Sequence, residues 1–110
     1  MNLTIEYSDN FLKEAKKLSK KFKLLKSDLQ EALLEMEEKN DFGVFLGSNL
    51  FKKRIKNSSI PTGKSGGFRV IIYEKVEDKM ILLSIYSKTE KESLSDEELK
   101  EIVKQQFNTN

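Results

Sequence analysis

The spacing of apolar and polar positions changes several times along the chain, and each change predicts an element. Leu3-Thr4-Ile5-Glu6-Tyr7 alternates with the two-residue period of a short strand. Phe11, Leu12, Ala15, Leu18 and Phe22 recur at helical spacing, which predicts a helix over about 10–22 with Asp9 as its N-cap. Ser27-Asp28-Leu29-Gln30 has the form of a capping box, opening a second helix that buries Leu29, Ala32, Leu33 and Met36 and turns Asp28, Glu31, Glu35 and Glu38 outward. Apolar stripes of this kind are core rather than ligand-binding surface, so the two helices read as an antiparallel hairpin packed on a sheet. Asn40-Asp41-Phe42-Gly43 and Gly47-Ser48-Asn49 are turn material, and Leu50-Phe51-Lys52-Lys53-Arg54-Ile55 is the next strand. The segment Asn57–Gly67, with Pro61 and three of the five glycines, reads as a mobile loop. Phe68–Val76 and Met80–Ser87 form a hairpin about Glu77-Asp78, and Ser95-Asp96-Glu97-Glu98 is a second capping box leading into Leu99, Ile102, Val103 and Phe107. The expected order is β-α-α-β-β-β-α over 1–110, one α+β domain with a largely antiparallel sheet, helices mostly on one face and a C-terminal helix.

Composition narrows the chemistry more than the fold. The chain has 110 residues, enough for one core, with no cysteine and no histidine. Disulfides and cysteine-based zinc sites are therefore excluded, and a reducing, cytoplasmic setting fits. The missing histidine removes the commonest general base and the commonest metal ligand, so no metal and no cofactor is expected. No apolar run approaches the about 20 residues of a membrane span, and the N-terminus does not read as a signal peptide.

The net charge of +2 is unevenly laid out. Lys13 to Lys26 holds seven lysines and one acid, and Asn49 to Tyr73 holds six basic residues and no acid. Such segregation suits a polyanion-facing surface, although solvated helix faces are also rich in lysine. On the strand Leu50–Ile55, alternation puts Lys52 and Arg54 on one face, with Lys56 following them, and leaves Lys53 on the core side, reaching out at its edge. An even-length turn about Glu77-Asp78 pairs Arg69 with Tyr86 and sets Lys88 diagonal to Arg69. Lys52, Arg54, Arg69, Tyr86 and Lys88 then surround one concave patch, with Lys64 reaching in from the loop.

This patch suits metal-independent cleavage of RNA. Arginine clamps a scissile phosphate and stabilises its transition-state charge, and a lysine crowded by cations has a lowered pKa that suits proton transfer. Tyr86 would stack on a base or steady a phosphate. Other readings stand beside this one: charges that protect an edge strand for Lys52 and Arg54, a buried ion pair with a helix carboxylate for Arg69, and a plain strand-end lysine for Lys88. The same cations would also bind RNA without cutting it. A P-loop is excluded at Gly63-Lys64-Ser65, because its first glycine is replaced by Ser58 and the loop leads into a strand rather than a helix.

Leu50-Phe51-Lys52-Lys53-Arg54-Ile55, Gly63-Lys64-Ser65-Gly66-Gly67-Phe68-Arg69-Val70-Ile71-Ile72-Tyr73 and Leu83-Ser84-Ile85-Tyr86-Ser87-Lys88-Thr89-Glu90 together resemble the RelE/ParE superfamily of type II toxins, with the HigB-type branch nearest. The resemblance implies a RelE-like fold and a ribosome-dependent mRNA interferase that cuts translated message and stops protein synthesis. It implies a cognate antitoxin, typically a helix-turn-helix DNA-binding protein, so that DNA is met only through that partner. The family's catalytic residues carry over to Lys52, Arg54, Arg69 and Lys88, and the expected RNA contacts are Lys64, Tyr86, Lys56 and Lys91. Two departures are visible: Lys53 stands where relatives usually have an aliphatic residue, and Leu94-Ser95-Asp96 stands where some RelE toxins carry a catalytic tyrosine. The competing functions are a non-enzymatic ParE-like inhibitor of DNA gyrase and an inactive relative that binds only RNA or antitoxin.

Overall fold

In the computed structural model, which describes residues 4–61, 67–75 and 78–107, the order is β1 (Thr4–Tyr7), α1 (Asp9–Lys21), α2 (Leu25–Lys39), β2 (Val44–Gly47), β3 (Leu50–Ile55), β4 (Phe68–Lys75), β5 (Lys79–Ser87) and α3 (Asp96–Phe107). The α+β architecture is the expected one, with one strand more than the sequence pattern suggested. The five strands form a single sheet in the order β1-β5-β4-β3-β2, antiparallel except where β1 runs parallel to β5.

The sheet carries apolar side chains on both faces, and helices cover both. Phe11, Phe22, Leu25 and Met36 of the helical hairpin and the chain joining its helices pack on Ile55, Phe68, Val70, Ile72, Met80, Leu82 and Ile85. On the opposite face Leu50, Ile71, Ile81 and Leu83 lie under Leu94 and the α3 residues Leu99, Ile102 and Val103. Helices mostly on one face is thus corrected to one layer on each side. The strands β4 and β5 are buried almost throughout, which is why they read as continuous apolar runs rather than alternating ones.

Helix starts were only partly legible. Ser8, not Asp9, caps α1, its Oγ accepting from Phe11 N–H at 3.0 Å. The box at Ser27 is no cap, because α2 already begins at Leu25, and Asp28, read as outward, is buried and accepts from Ser58 N–H at 2.8 Å and Ser58 Oγ at 2.6 Å. That carboxylate ties the loop after β3 to α2. Leu12, expected in the core, is 53% exposed. The box at Ser95 is real: Glu98 N–H donates to Ser95 Oγ, and the Glu98 carboxylate accepts from Ser95 N–H, both at 3.1 Å.

The strand β2 was hidden between its flanking turns. It pairs with β3 from Val44↔Lys52 to Gly47↔Leu50, and Phe45 packs its ring 5.2 Å from that of Phe51. The register of β4 on β5 contains Arg69↔Tyr86 as expected, but not for the expected reason. At the turn end Lys75 faces Lys79, leaving Val76, Glu77 and Asp78 between them. A bulge on β5 between the pairs Ile71↔Ser84 and Ile72↔Leu82 then restores the register. The helix α1 supplies hydrogen bonds around this bulge. Leu83 C=O accepts from Ser8 Oγ and Asn10 Nδ2, and one Glu14 carboxylate oxygen accepts from Ser84 Oγ, Ile85 N–H and Asn10 Nδ2.

Candidate active site

Arg54 and Arg69 face one another across β3 and β4, and Lys52 faces Ile71 two residues further along. These positions lie on the face that α3 covers, but beyond the reach of its apolar residues, where the surface opens into a cleft of about 480 Å³. Lys52, Arg54, Arg69 and Lys88 all line this cleft, together with Asp41, Gly43, Val44, Lys53 and Glu92. Three sheet positions and the turn after β5 thus bring four of the expected residues together. The sheet fixes three of them through backbone pairing rather than through long side chains.

Arg69 is 7% exposed, and its only side-chain hydrogen bond among the described residues goes to Phe68 C=O, at 3.3 Å. No carboxylate pairs with it among those residues, so the ion-pair reading gains no support. Burial first, and then the Arg54 guanidinium, pull its pKa below the usual arginine value. It nevertheless remains a cation at neutral pH. Lys88 donates from Nζ to Glu92 C=O at 2.8 Å, which holds its ammonium at the cleft wall. Nor is β3 a bare edge, since β2 covers Leu50–Lys52; Arg54 lies past the end of that pairing.

The near wall comes from the chain between α2 and β2. Asp41 accepts from Gly43 N–H at 3.0 Å and stands 3.3 Å from Lys53 Nζ. Those contacts hold its carboxyl below the usual aspartate value, the Gly43 hydrogen bond contributing most. The core-side Lys53 finds its counter-charge here, at the sheet margin. Gly43, at φ +90°, approaches β3 so closely that a Cβ would sit 2.3 Å from Lys52 C=O. Only glycine fits that wall.

Three other expected residues, Tyr86, Lys56 and Lys91, do not line this cleft, although Tyr86 pairs with Arg69 across β4 and β5. Tyr86 is buried and opens onto a separate cleft with Glu14, Lys17, Leu18, Lys21 and Glu90. Burial raises its pKa, and Arg69 and Lys91 partly offset that rise. Lys56 follows the last residue of β3, leaves the strand alternation and reaches Glu31 of α2 at 3.4 Å. Lys91 is paired with Glu98 at the start of α3. Lys64 and the glycines beside it lie outside the described residues. The wall residues Asp41, Gly43 and Glu92 were missed, because their place depends on how two turns fold back over the sheet. Gly43 within Asn40-Asp41-Phe42-Gly43 was the one available signal.

The sequence profile described as "RelE toxin of RelE / RelB toxin-antitoxin system" matches residues 11–109. Among solved structures, a mutant of the E. coli toxin RelE with two arginines changed to alanine, in the free state, superposes with a TM-score of 0.62 at 18% identity. That match covers 96% of this chain and 98% of the other, a likeness of fold. No curated protein sequence matches significantly. Among the described residues, no helix is long and apolar enough to cross a membrane.

Proposed function

This chain belongs to the RelE toxin family, and on that premise we propose that it is a ribosome-dependent, metal-independent endoribonuclease that cuts translated mRNA. The observation that carries the reading is Arg69, a buried guanidinium with no carboxylate partner among the described residues, facing a second arginine in a cleft lined by three lysines more. A buried charge is costly unless something compensates it. A phosphate diester entering the cleft supplies that compensation, and the dianionic transition state of its cleavage supplies more.

In the proposed reaction a ribose 2′-oxygen attacks the neighbouring phosphorus and the bond from phosphorus to the 5′-oxygen breaks. The products are a 2′,3′-cyclic phosphate and a 5′-hydroxyl. Arg69 and Arg54 hold the non-bridging oxygens as charge gathers there. Of Lys52 and Lys88, on either side in the sheet order, one starts as the neutral amine and takes the 2′-proton, and the other starts as the ammonium and protonates the leaving 5′-oxygen. The ribosome positions the message, as the family resemblance implies, so the cleft need not orient the RNA alone. The partner in the resting state is an antitoxin of the RelB kind named in the family description.

The test is to express the chain without antitoxin and map the 5′ ends of cellular transcripts. Cuts confined to translated regions and in frame are expected, and they disappear with Arg69→Ala/Lys88→Ala. Undiminished cutting by that double variant overturns the site. Intact message together with inhibition of gyrase supercoiling by the purified protein favours the ParE-like alternative.

A further inference from the structure

We propose that Thr89 is a positioning residue for the reaction, holding Lys88 at the cleft through a hydroxyl bridge to Ser87; the inference rests on the endoribonuclease reading above. Lys52, Arg54 and Arg69 stand inside the sheet, each paired across β3 and β4. Lys88 is instead the first residue after β5, so the turn that follows must hold it. Its N–H donates to Gly67 C=O at 3.0 Å, and the Glu90 and Lys91 N–H groups donate to Ser87 C=O at 3.0 and 2.9 Å. These bonds set the course of the main chain around Lys88, and the contact of Nζ with Glu92 C=O sets the far end of its side chain.

One side-chain bond closes the same turn. Ser87 Oγ and Thr89 Oγ1 lie 2.8 Å apart and share a hydrogen bond that spans Lys88. Ser87 is 1% exposed, whereas Thr89 is on the surface. A buried hydroxyl is costly to leave without a partner, so Ser87 holds the Thr89 side chain inward, and a β-branched residue has little freedom at χ1 to leave. The other side-chain ties of the turn, Lys21 to Glu90 and Lys91 to Glu98, join solvent-accessible charges and contribute little. Thr89 lines neither the cleft of Lys88 nor the one beside Tyr86, so it acts through Lys88 rather than on RNA. A lysine that carries a proton must bring Nζ within hydrogen-bond reach of its oxygen, and its flexible stem does nothing to ensure that. A misplacement of about 1 Å is enough to cost about 100-fold in rate.

The test measures cutting of message on purified ribosomes, over a range of ribosome concentrations, by wild type, Thr89→Val, Thr89→Ser, Ser87→Ala and the double variant Ser87→Ala/Thr89→Val. Thr89→Val keeps the shape of the side chain and loses the hydroxyl. It is expected to melt near the wild-type temperature and to lose about tenfold or more in kcat, with KM changed by less than about twofold. Thr89→Ser restores the hydroxyl and should recover most of that loss. Because the two hydroxyls share one bond, the double variant should be no slower than the slower single one. The proposal is overturned if Thr89→Val cuts at the wild-type rate, if its loss lies in KM, or if the loss follows a matching fall in the folded fraction. It is also overturned if Thr89→Ser is as slow as Thr89→Val, or if the losses of the two single variants multiply in the double one. Absence of cutting by wild type overturns the endoribonuclease reading, and the inference falls with it.

Discussion

A guanidinium held at 7% exposure beside another arginine, with no carboxylate partner among the described residues, works against the fold that holds it. Replacing Arg69 with methionine keeps the bulk of the side chain and removes the charge. The Arg69→Met protein is expected to melt at the wild-type temperature or above, while cutting falls by about 100-fold or more. Thermal melting and a translation-coupled cleavage assay check both halves, and a lower melting temperature with cutting intact would contradict the assignment. Asp41 behaves in the opposite sense. Its folded pKa lies below the unfolded 3.8, so its contribution to stability is present above that value and is lost as pH falls through the lower, folded one. Asp41→Asn should therefore be less stable than wild type at neutral pH, and the difference should close in strong acid. Urea unfolding across a pH series measures that gap. Charges on apolar strands were legible as residues out of place, whereas Glu92 and Asp41, two acids among eighteen, carried no such mark.

At the scale of elements, α3 shows how much of a helix rests on its first turn. It has no buried residue and holds to the sheet through the half-buried Leu99, Ile102 and Val103, with the Ser95–Glu98 box closing its start. Ser95→Ala should cost about 1 kcal/mol. The loss should appear as faster amide exchange along α3, with the β4 and β5 amides changed only as far as global stability falls. The same four-residue spacing at Ser27 marks nothing, because α2 gains its start from burial of Leu25 and its anchor from Asp28 binding the loop at Ser58. A capping pattern states what a side chain is able to do, and packing decides where the helix begins. In the same way, Val44-Phe45-Leu46 is too short between two turns to announce a strand, and it becomes one only on the hydrogen-bonding edge of β3.

Across the whole molecule, the clustering of charge matters more than the net charge of +2. The cleft concentrates Lys52, Arg54, Arg69 and Lys88, and RNA held by four such contacts should bind with a log–log salt slope of about −3, each phosphate contact contributing about −0.7. Titration of a non-cleavable single-stranded RNA at several salt concentrations measures the slope. Lys52→Ala should flatten it by about one contact, and an unchanged slope would place the RNA elsewhere.

The sequence by itself determined the class of the fold, because periods of two and of 3.6 residues report which side of each element is buried wherever the rest of the chain lies. It also determined which chemistry is available, since a chain without histidine or cysteine must work with arginine, lysine and carboxylates. Tertiary structure alone decided which charges meet. The Arg69↔Tyr86 pairing depends on a turn of odd length and a compensating bulge near Leu83, two irregularities that cancel and leave no trace in a periodic pattern. Lys56 turns to Glu31 and Lys91 to Glu98, because long charged side chains settle on the nearest opposite charge that folding brings within reach.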